Sequence, residues 1–381
     1  MNEPNSPLDA VRVLDLTRVL AGPLCTMMLG DMGADIIKVE RPGSGDETRG
    51  WGPPFDPRGE SAYFLSINRN KLGLAADFAS GQDRDLIIGL MAEADVVVEN
   101  YLPGTLARLG LSPELMCARY SRLIWCTITG FGDDNSRPGY DFVVQAESGL
   151  MAISGEPAGA PMKSGVAMVD ILAGKDAAIA ILGALHRRER TGLGGRISVS
   201  LAATAAAALI NAAQNALVSG REAGRWGNAH ANLVPYEMFD AADRPIVIAV
   251  GSDAQWKVCA RALGLDELAD DASLETNAGR LAARQRIVTA IRDQVATRPA
   301  AEWMSLLSAA GVPCGEVRGA LEAARAAGGS PTSGMPPSVP GRVRFDPPRL
   351  DEHGDAIRKS GWRIFAEVAD PSTRQNTPPV Y

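Results

Sequence analysis

Histidine is scarce in this chain of 381 residues: His186, His230 and His353 are all there are, and no two of them stand at metal-ligand spacing. No H-E-x-x-H occurs, which sets aside the common zinc-hydrolase pattern. There is no P-loop and no G-x-G-x-x-G opening a helix after a strand; "GSGDETRG" at 43–50 is rich in glycine but has the wrong spacing. A G-x-S-x-G elbow is also missing, so NTPases, zinc enzymes and lipase-type hydrolases all lose support. The five cysteines, Cys25, Cys117, Cys126, Cys259 and Cys314, form no C-x-x-C pair and are odd in number. That usage fits buried reduced thiols in a cytoplasmic protein. Long uncharged apolar runs are lacking too: Asp170, Lys175 and Asp176 interrupt 166–185, and Asn211 closes 201–210, so no membrane association is expected. The opening "MNEPNSPLDAVRVLDL" has no basic stretch ahead of an apolar core, and no signal peptide is expected. Basic excess is absent, with 38 Lys and Arg against 45 Asp and Glu, a formal charge of -7. Such a field favours neither nucleic acid nor an anionic membrane, while leaving room for a local basic pocket.

What the chain does have is a 46% hydrophobic composition and alternating strand and helix patterns. β-type runs stand at 11–16, 35–40, 94–100, 123–132 and 196–201, with helical patterns between most of them. This predicts an α/β fold: an open, mostly parallel sheet with helices on both faces, Rossmann-like, plus a smaller α+β domain. The boundaries read as a large domain at 1–200, a helical linker at 201–225, a small domain at 226–320, a linker at 321–341, and a segment at 342–381 returning to the large domain. In the small domain, two strands joined by a turn at 242–244 and helices near 254–263, 280–297 and 301–310 are expected. Ligands of open parallel sheets collect beyond the carboxyl ends of the strands.

Four groups of residues are candidates for chemistry. "KSGVAMVDILAGKDAAIAILGAL" (163–185) reads as the front of a long apolar helix, yet it holds Asp170. One reading is a first-turn carboxylate favoured by the helix dipole, worth about 0.3–1 kcal/mol. The other is a carboxylate kept ionised by the same dipole and by nearby N–H groups, poorly solvated, and fit to be a nucleophile. A second group is basic: Arg18, Lys38, Arg41, Lys71 and Arg108 stand near strand ends, either as solvated charge or as phosphate ligands. Third, "RPGYDFVVQAESGLM" (137–151) places Tyr140 and Asp141 at a helix start, where aspartate is commonly a cap. Fourth, "GNAHANLVPYEMF" (227–239) is a polar loop with His230, which reads as an exposed histidine or part of a pocket.

Taken in order, "LDAVRVLDLTRVLAGPLCTMMLGDMGADIIKVERPGSGDETRGW", "ADVVVENYLPGTLARLGL", "RPGYDFVVQAESGLMAISGEP", "SGVAMVDILAG" and "GNAHANLVPYEMF" resemble the class III coenzyme A transferases, the group of formyl-CoA and carnitine CoA-transferases. The resemblance implies that Asp170 is the nucleophile of an acyl-CoA:carboxylate CoA transfer, working through an aspartyl anhydride and an aspartyl-CoA thioester. It further implies that Arg41, Lys71, Asn100, Tyr101 and Arg108 bind coenzyme A, and that Arg18, Leu20, Tyr140, Asp141 and His230 line the substrate pocket. The substrates would be acyl-CoA and small carboxylic acids, with a succinyl-CoA-like donor and a carboxylic or dicarboxylic acceptor. No permanently bound cofactor or metal is implied, and the expected assembly is an interlocked, ring-like homodimer. The related α-methylacyl-CoA racemases share the N-terminal blocks but carry a histidine before the aspartate of the "GYD" block, where this chain has Tyr140. Tyrosine, with an ordinary pKa near 10, matches near-neutral proton exchange poorly. A silent CoA-binding subunit of a two-chain transferase is the third reading, and the presence of Asp170 argues against it.

Overall fold

The structure is a computed structural model, and it describes residues 6–369. Contacts divide the chain into two units, Met1–Leu150 with Lys163–Asn211 and Ala324–Tyr381, and Met151–Met162 with Ala212–Ala323. The first is built on six parallel strands: β1 (Arg12–Asp15), β2 (Asp35–Glu40), β3 (Lys71–Ala75), β4 (Val96–Glu99), β5 (Ile124–Thr129) and β6 (Gly195–Ser200). Their order is β3-β2-β1-β4-β5-β6. The strand order reverses between β1 and β4, paired at Val13↔Val96, and a crevice opens beyond their carboxyl ends.

Period-two alternation distributes the apolar side chains to two cores. Val13, Val96, Val98, Ile124 and Cys126 face the helices Ala21–Asp31 and Met168–Thr191. Leu14, Val97, Leu72 and Trp125 face the other way, toward Gly81–Glu93, with Ile357, Trp362 and Phe365 from the end of the chain. Burial on both faces explains why these strands read as nearly continuous apolar runs. The strand β3 escapes that pattern, because it begins at Lys71 and contains Gly73. Of the segment expected at 342–381, residues 370–381 lie outside the described residues, as do 1–5.

The second unit carries a three-stranded antiparallel sheet, β7 (Tyr236–Asp240), β8 (Pro245–Ala249) and β9 (Cys314–Glu316). Helices Asp253–Ala262, Arg284–Val295 and Ala300–Ala309 bury Trp256, Ile287, Ile291 and Trp303 against it. The region expected as one helix at 280–297 is two, Asn277–Ala282 and Arg284–Val295. All five cysteines are free. No single helix among the described residues is long and apolar enough to cross a membrane, although the bent pair Leu201–Ala208 and Ile210–Ser219 together has such a length and composition.

Candidate active site

Asp170 is the third residue of the helix Met168–Thr191, so the helix begins five residues later than its apolar pattern suggests. One turn on, Gly174 meets the helix Ala21–Asp31: a Cβ there would lie 2.6 Å from the Ala21 carbonyl oxygen. The missing side chain lets the two helices approach, and Asp170, on the same face at i−4, is carried to the crevice beyond β1 and β4. A second close approach brings in the opposite wall. A Cβ on Gly130 would stand 2.5 Å from Gly139 Cα, so the loop after β5 folds back on itself and sets Tyr140 beside the strand end.

These walls enclose a cavity of about 380 Å³ lined by Leu20, Asn100, Tyr101, Arg137, Tyr140 and Asp170, among others. Asn100 joins the loops after β1 and β4, accepting from the Arg18 amide at 2.9 Å and donating to the Arg18 carbonyl at 2.8 Å. Between them Val19 holds φ 68°, a costly left-handed conformation for a β-branched residue. Its amide donates to both oxygens of Asp46 at 3.3 Å. Asp46 is in turn paired with the buried Lys38 at 3.1 Å, and Lys38 also donates to the Thr17 carbonyl at 2.9 Å. A buried charge network thus fixes the loop that faces Asp170.

No amide or side chain among the described residues donates to the Asp170 carboxylate, although the residue is only 9% exposed. Burial, followed by the negative charge of Asp141, pushes its pKa up to about 7. The expectation that the dipole holds it firmly ionised is therefore corrected: desolvation and a like charge outweigh the helix N-terminus. Nor does Asp170 cap its own helix. That role belongs to Asp141, whose Oδ1 accepts from the amides of Val169 at 2.7 Å and Asp170 at 3.3 Å. Asp141 Oδ2 accepts from Gln145 Nε2 at 2.6 Å. Expected on the pocket wall, Asp141 instead stands behind it, spent on these donors.

Lys71 is the second correction. It is fully buried, and its ammonium donates to Asp15 Oδ2 at 3.0 Å, Pro23 O at 2.8 Å and Asn68 Oδ1 at 2.8 Å. Nothing remains for a phosphate. Burial draws its pKa down to about 8 against the pull of Asp15. Asp15 itself is held well below the usual carboxylate range: burial opposes ionisation, but Lys71, Lys38 and the Thr17 and Thr26 hydroxyls prevail.

The remaining expected residues fall in different places. Arg18 pairs with Glu47 and lies 5.4 Å over the Tyr101 ring. It borders both the main cavity and a recess of about 260 Å³ that adds Arg41, Asp46 and Glu47. Arg41 is exposed on that recess. Arg108 is exposed in the turn after β4, where it contacts Thr105 Oγ1 at 3.3 Å, and it lines neither space. His230 belongs to the second unit; its Nδ1 accepts from the Asn232 amide at 3.0 Å and its ring packs 5.2 Å from Tyr236. Arg137 was not anticipated from the sequence. It lines the cavity, pairs with Glu147 and lies 4.4 Å over Phe131. Among the described residues no cluster of three or more His, Cys, Asp or Glu is arranged to hold a metal.

The arrangement provides a buried carboxylate that receives no donor from the described residues, on a cavity at the switch point of a doubly wound sheet, next to a recess where Arg18 and Arg41 stand among Glu40, Asp46 and Glu47. Comparison with known proteins agrees with that chemistry. The family model for CoA-transferase family III matches residues 8–353. Succinyl-CoA:glutarate CoA-transferase of Mus musculus is 44% identical over 82% of this chain and 72% of that protein. Acetyl-CoA:oxalate CoA-transferase of Acetobacter aceti is 35% identical over 94% of this chain and 96% of that one. The crystal structure of a CAIB/BAIF family protein from Brucella suis superposes with a TM-score of 0.81 at 38% identity, covering 96% of this chain and 100% of that one. The chain belongs to CoA-transferase family III and is a CoA-transferase.

Proposed function

We propose that the enzyme exchanges coenzyme A between an acyl-CoA and a free carboxylic acid, with Asp170 as the covalent carrier. The observation that carries this reading is the Asp170 carboxylate itself, buried, without a donor among the described residues, and facing a cavity. A carboxylate with full hydrogen-bond partners is a poor nucleophile; one starved of them attacks readily once it is ionised. Asp170 attacks the thioester carbonyl of the donor, forming a mixed anhydride and expelling the CoA thiolate. The thiolate attacks the Asp170 carbonyl, which releases the donor acid and leaves an aspartyl-CoA thioester. The acceptor carboxylate attacks that thioester, giving a second anhydride and free thiolate. Attack of the thiolate on the acceptor's acyl carbon yields the new acyl-CoA and restores the Asp170 carboxylate. Bonds of similar energy are exchanged throughout, so the protein's task is orientation and exclusion of water.

The elongated coenzyme A would run from the thioester at Asp170, past Asn100 and Tyr101, to its phosphates at Arg41. The continuity of the two recesses through Arg18 and Tyr101 supports this path. A third recess of about 240 Å³ beside Tyr101 carries Glu99, Glu114, Asp133 and Asp134, and its one cation, Arg196, is already paired with Glu114 and Asp133 at 3.0 Å, so it suits phosphate less well. The names of the relatives support a succinyl-CoA-like donor and a dicarboxylic acceptor. Arg18 and Arg137, both on the cavity, suit a second carboxylate. A homodimer belongs to the same proposal: Leu217 and Val218 are 77% and 79% exposed, an apolar surface that a second copy would cover. A panel of acyl-CoA donors and carboxylic acids, read by mass spectrometry, tests the function. Transfer from succinyl-CoA to a dicarboxylate is expected, and no transfer with any pair would refute it.

A further inference from the structure

Behind the carboxylate, Gln145 makes two bonds that no part of the chemistry above has used. It is 2% exposed, on the helix Asp141–Glu147. Its Nε2 donates to Asp141 Oδ2 at 2.6 Å, and its Oε1 accepts from the Ser164 amide at 2.9 Å. Asp141 offers only acceptors and the Ser164 amide only a donor, so the orientation of the Gln145 amide group is fixed by its partners. Asp141 Oδ1, held by the same bridge, receives the first amides of the helix that bears Asp170. The bridge therefore ties both ends of the segment 164–170 to one buried side chain.

We propose that Gln145 is a positioning residue: by clamping Asp141 and the Ser164 amide together it sets the start of the helix Met168–Thr191 so that Asp170 faces the cavity. Gln145 touches no reacting atom. Its effect reaches the nucleophile through Asp141, and the proposal rests on the reading of Asp170 given above.

The titratable groups around the bridge are few. Asp141 lies on its own helix, and Asp170 and Asp176 on the helix packed against it, with Asp176 bonded to Thr204 at 2.7 Å. Tyr63, from the turn Ala62–Leu65, feels both Asp170 and Asp141. Lys163 precedes Ser164, and the exposed Arg137–Glu147 pair closes the other side. The neighbouring helix Leu201–Ala208 contributes no ionisable side chain.

Two variants test the clamp. In Gln145→Leu the Ser164 amide loses its acceptor and Asp141, which holds the amides of Val169 and Asp170, loses the donor that fixes it, so these three amides should exchange with deuterium about tenfold faster or more, while amides later in the helix keep wild-type rates. Unchanged exchange at those three amides overturns the proposal, and this arm needs no substrate. Gln145→Glu works as a clamp only when protonated, since its O–H can then donate to Asp141 Oδ2; once ionised it opposes that carboxylate at contact distance. Its transfer rate should fall between about pH 5.5 and 8, whereas the wild-type rate rises as Asp170 ionises. Superimposable profiles overturn the proposal. If the wild type transfers CoA from no donor, the functional reading fails, and the exchange measurement still decides the role of Gln145.

Discussion

Asp141 and Asp170 are two carboxylates with opposite provisions, joined through one helix end. Asp141 Oδ1 accepts the amides of Val169 at 2.7 Å and of Asp170 at 3.3 Å, while the side chain of Asp170 receives no donor from the described residues. One is consumed as a cap, and its charge adds to burial in lifting the pKa of the other to about 7. The cap and the nucleophile are thus separate residues, and the cap tunes the nucleophile.

The rate of CoA transfer should follow the ionisation of Asp170. Its carboxylate is the attacking form, so kcat should fall about tenfold for each pH unit below about 7 and level off above it. Asp141→Asn removes the like charge but keeps an oxygen for the Val169 amide. Its midpoint should move toward acid in a pH–rate profile; a midpoint that stays near 7 would show that Asp141 does not set it.

Stability should carry the opposite sign. The folded pKa of Asp170 lies above its ordinary 3.8, so the native state holds the proton more tightly than the unfolded chain. That contribution is full below about pH 4 and is lost as pH rises through about 7. The gap between 3.8 and about 7 corresponds to about 4 kcal/mol as an upper bound. Asp170→Asn should therefore be more stable than wild type at pH 8 and nearly equal at pH 4 in urea unfolding. Equal stability at both pH values would mean that the carboxylate is well solvated.

Arg41 and Lys71 should separate cleanly although both stand near strand ends. Arg41→Ala should raise the KM for acyl-CoA about tenfold or more, in line with a charge-assisted contact, and leave the KM for the acceptor acid unchanged. Lys71→Met strands the buried Asp15 and should cost about 3–5 kcal/mol of stability without a selective change in KM. A selective KM effect in the Lys71 variant would contradict its placement in the core.

Strands with β-branched runs, such as "DIIKVE" and "ADVVVEN", were legible because burial on both faces demands them. The strand "KLGLA" was not, since its leading lysine is buried only through a pairing with Asp15 across 56 residues. Nothing local in the sequence announces that partner. At three residues, β9 was too short to show a period. The same logic divides the site. Leu20, Asn100, Tyr101, Tyr140 and Asp170 sit at strand ends or helix starts, where the topological rule directs attention, and all line the cavity. Asp141 was read at a helix start and caps a different helix, 28 residues on. Gln145 lies within the block "RPGYDFVVQAESGLM" but is uncharged and nothing local singles it out there, so only its bonds reveal it.

The account rests on a covalent bond at Asp170, and trapping tests it most directly. Enzyme incubated with succinyl-CoA and quenched with hydroxylamine or borohydride should carry its modification on the peptide containing Asp170, and Asp170→Ala should show neither modification nor turnover. Modification at another residue, or full turnover by Asp170→Ala, would contradict the mechanism.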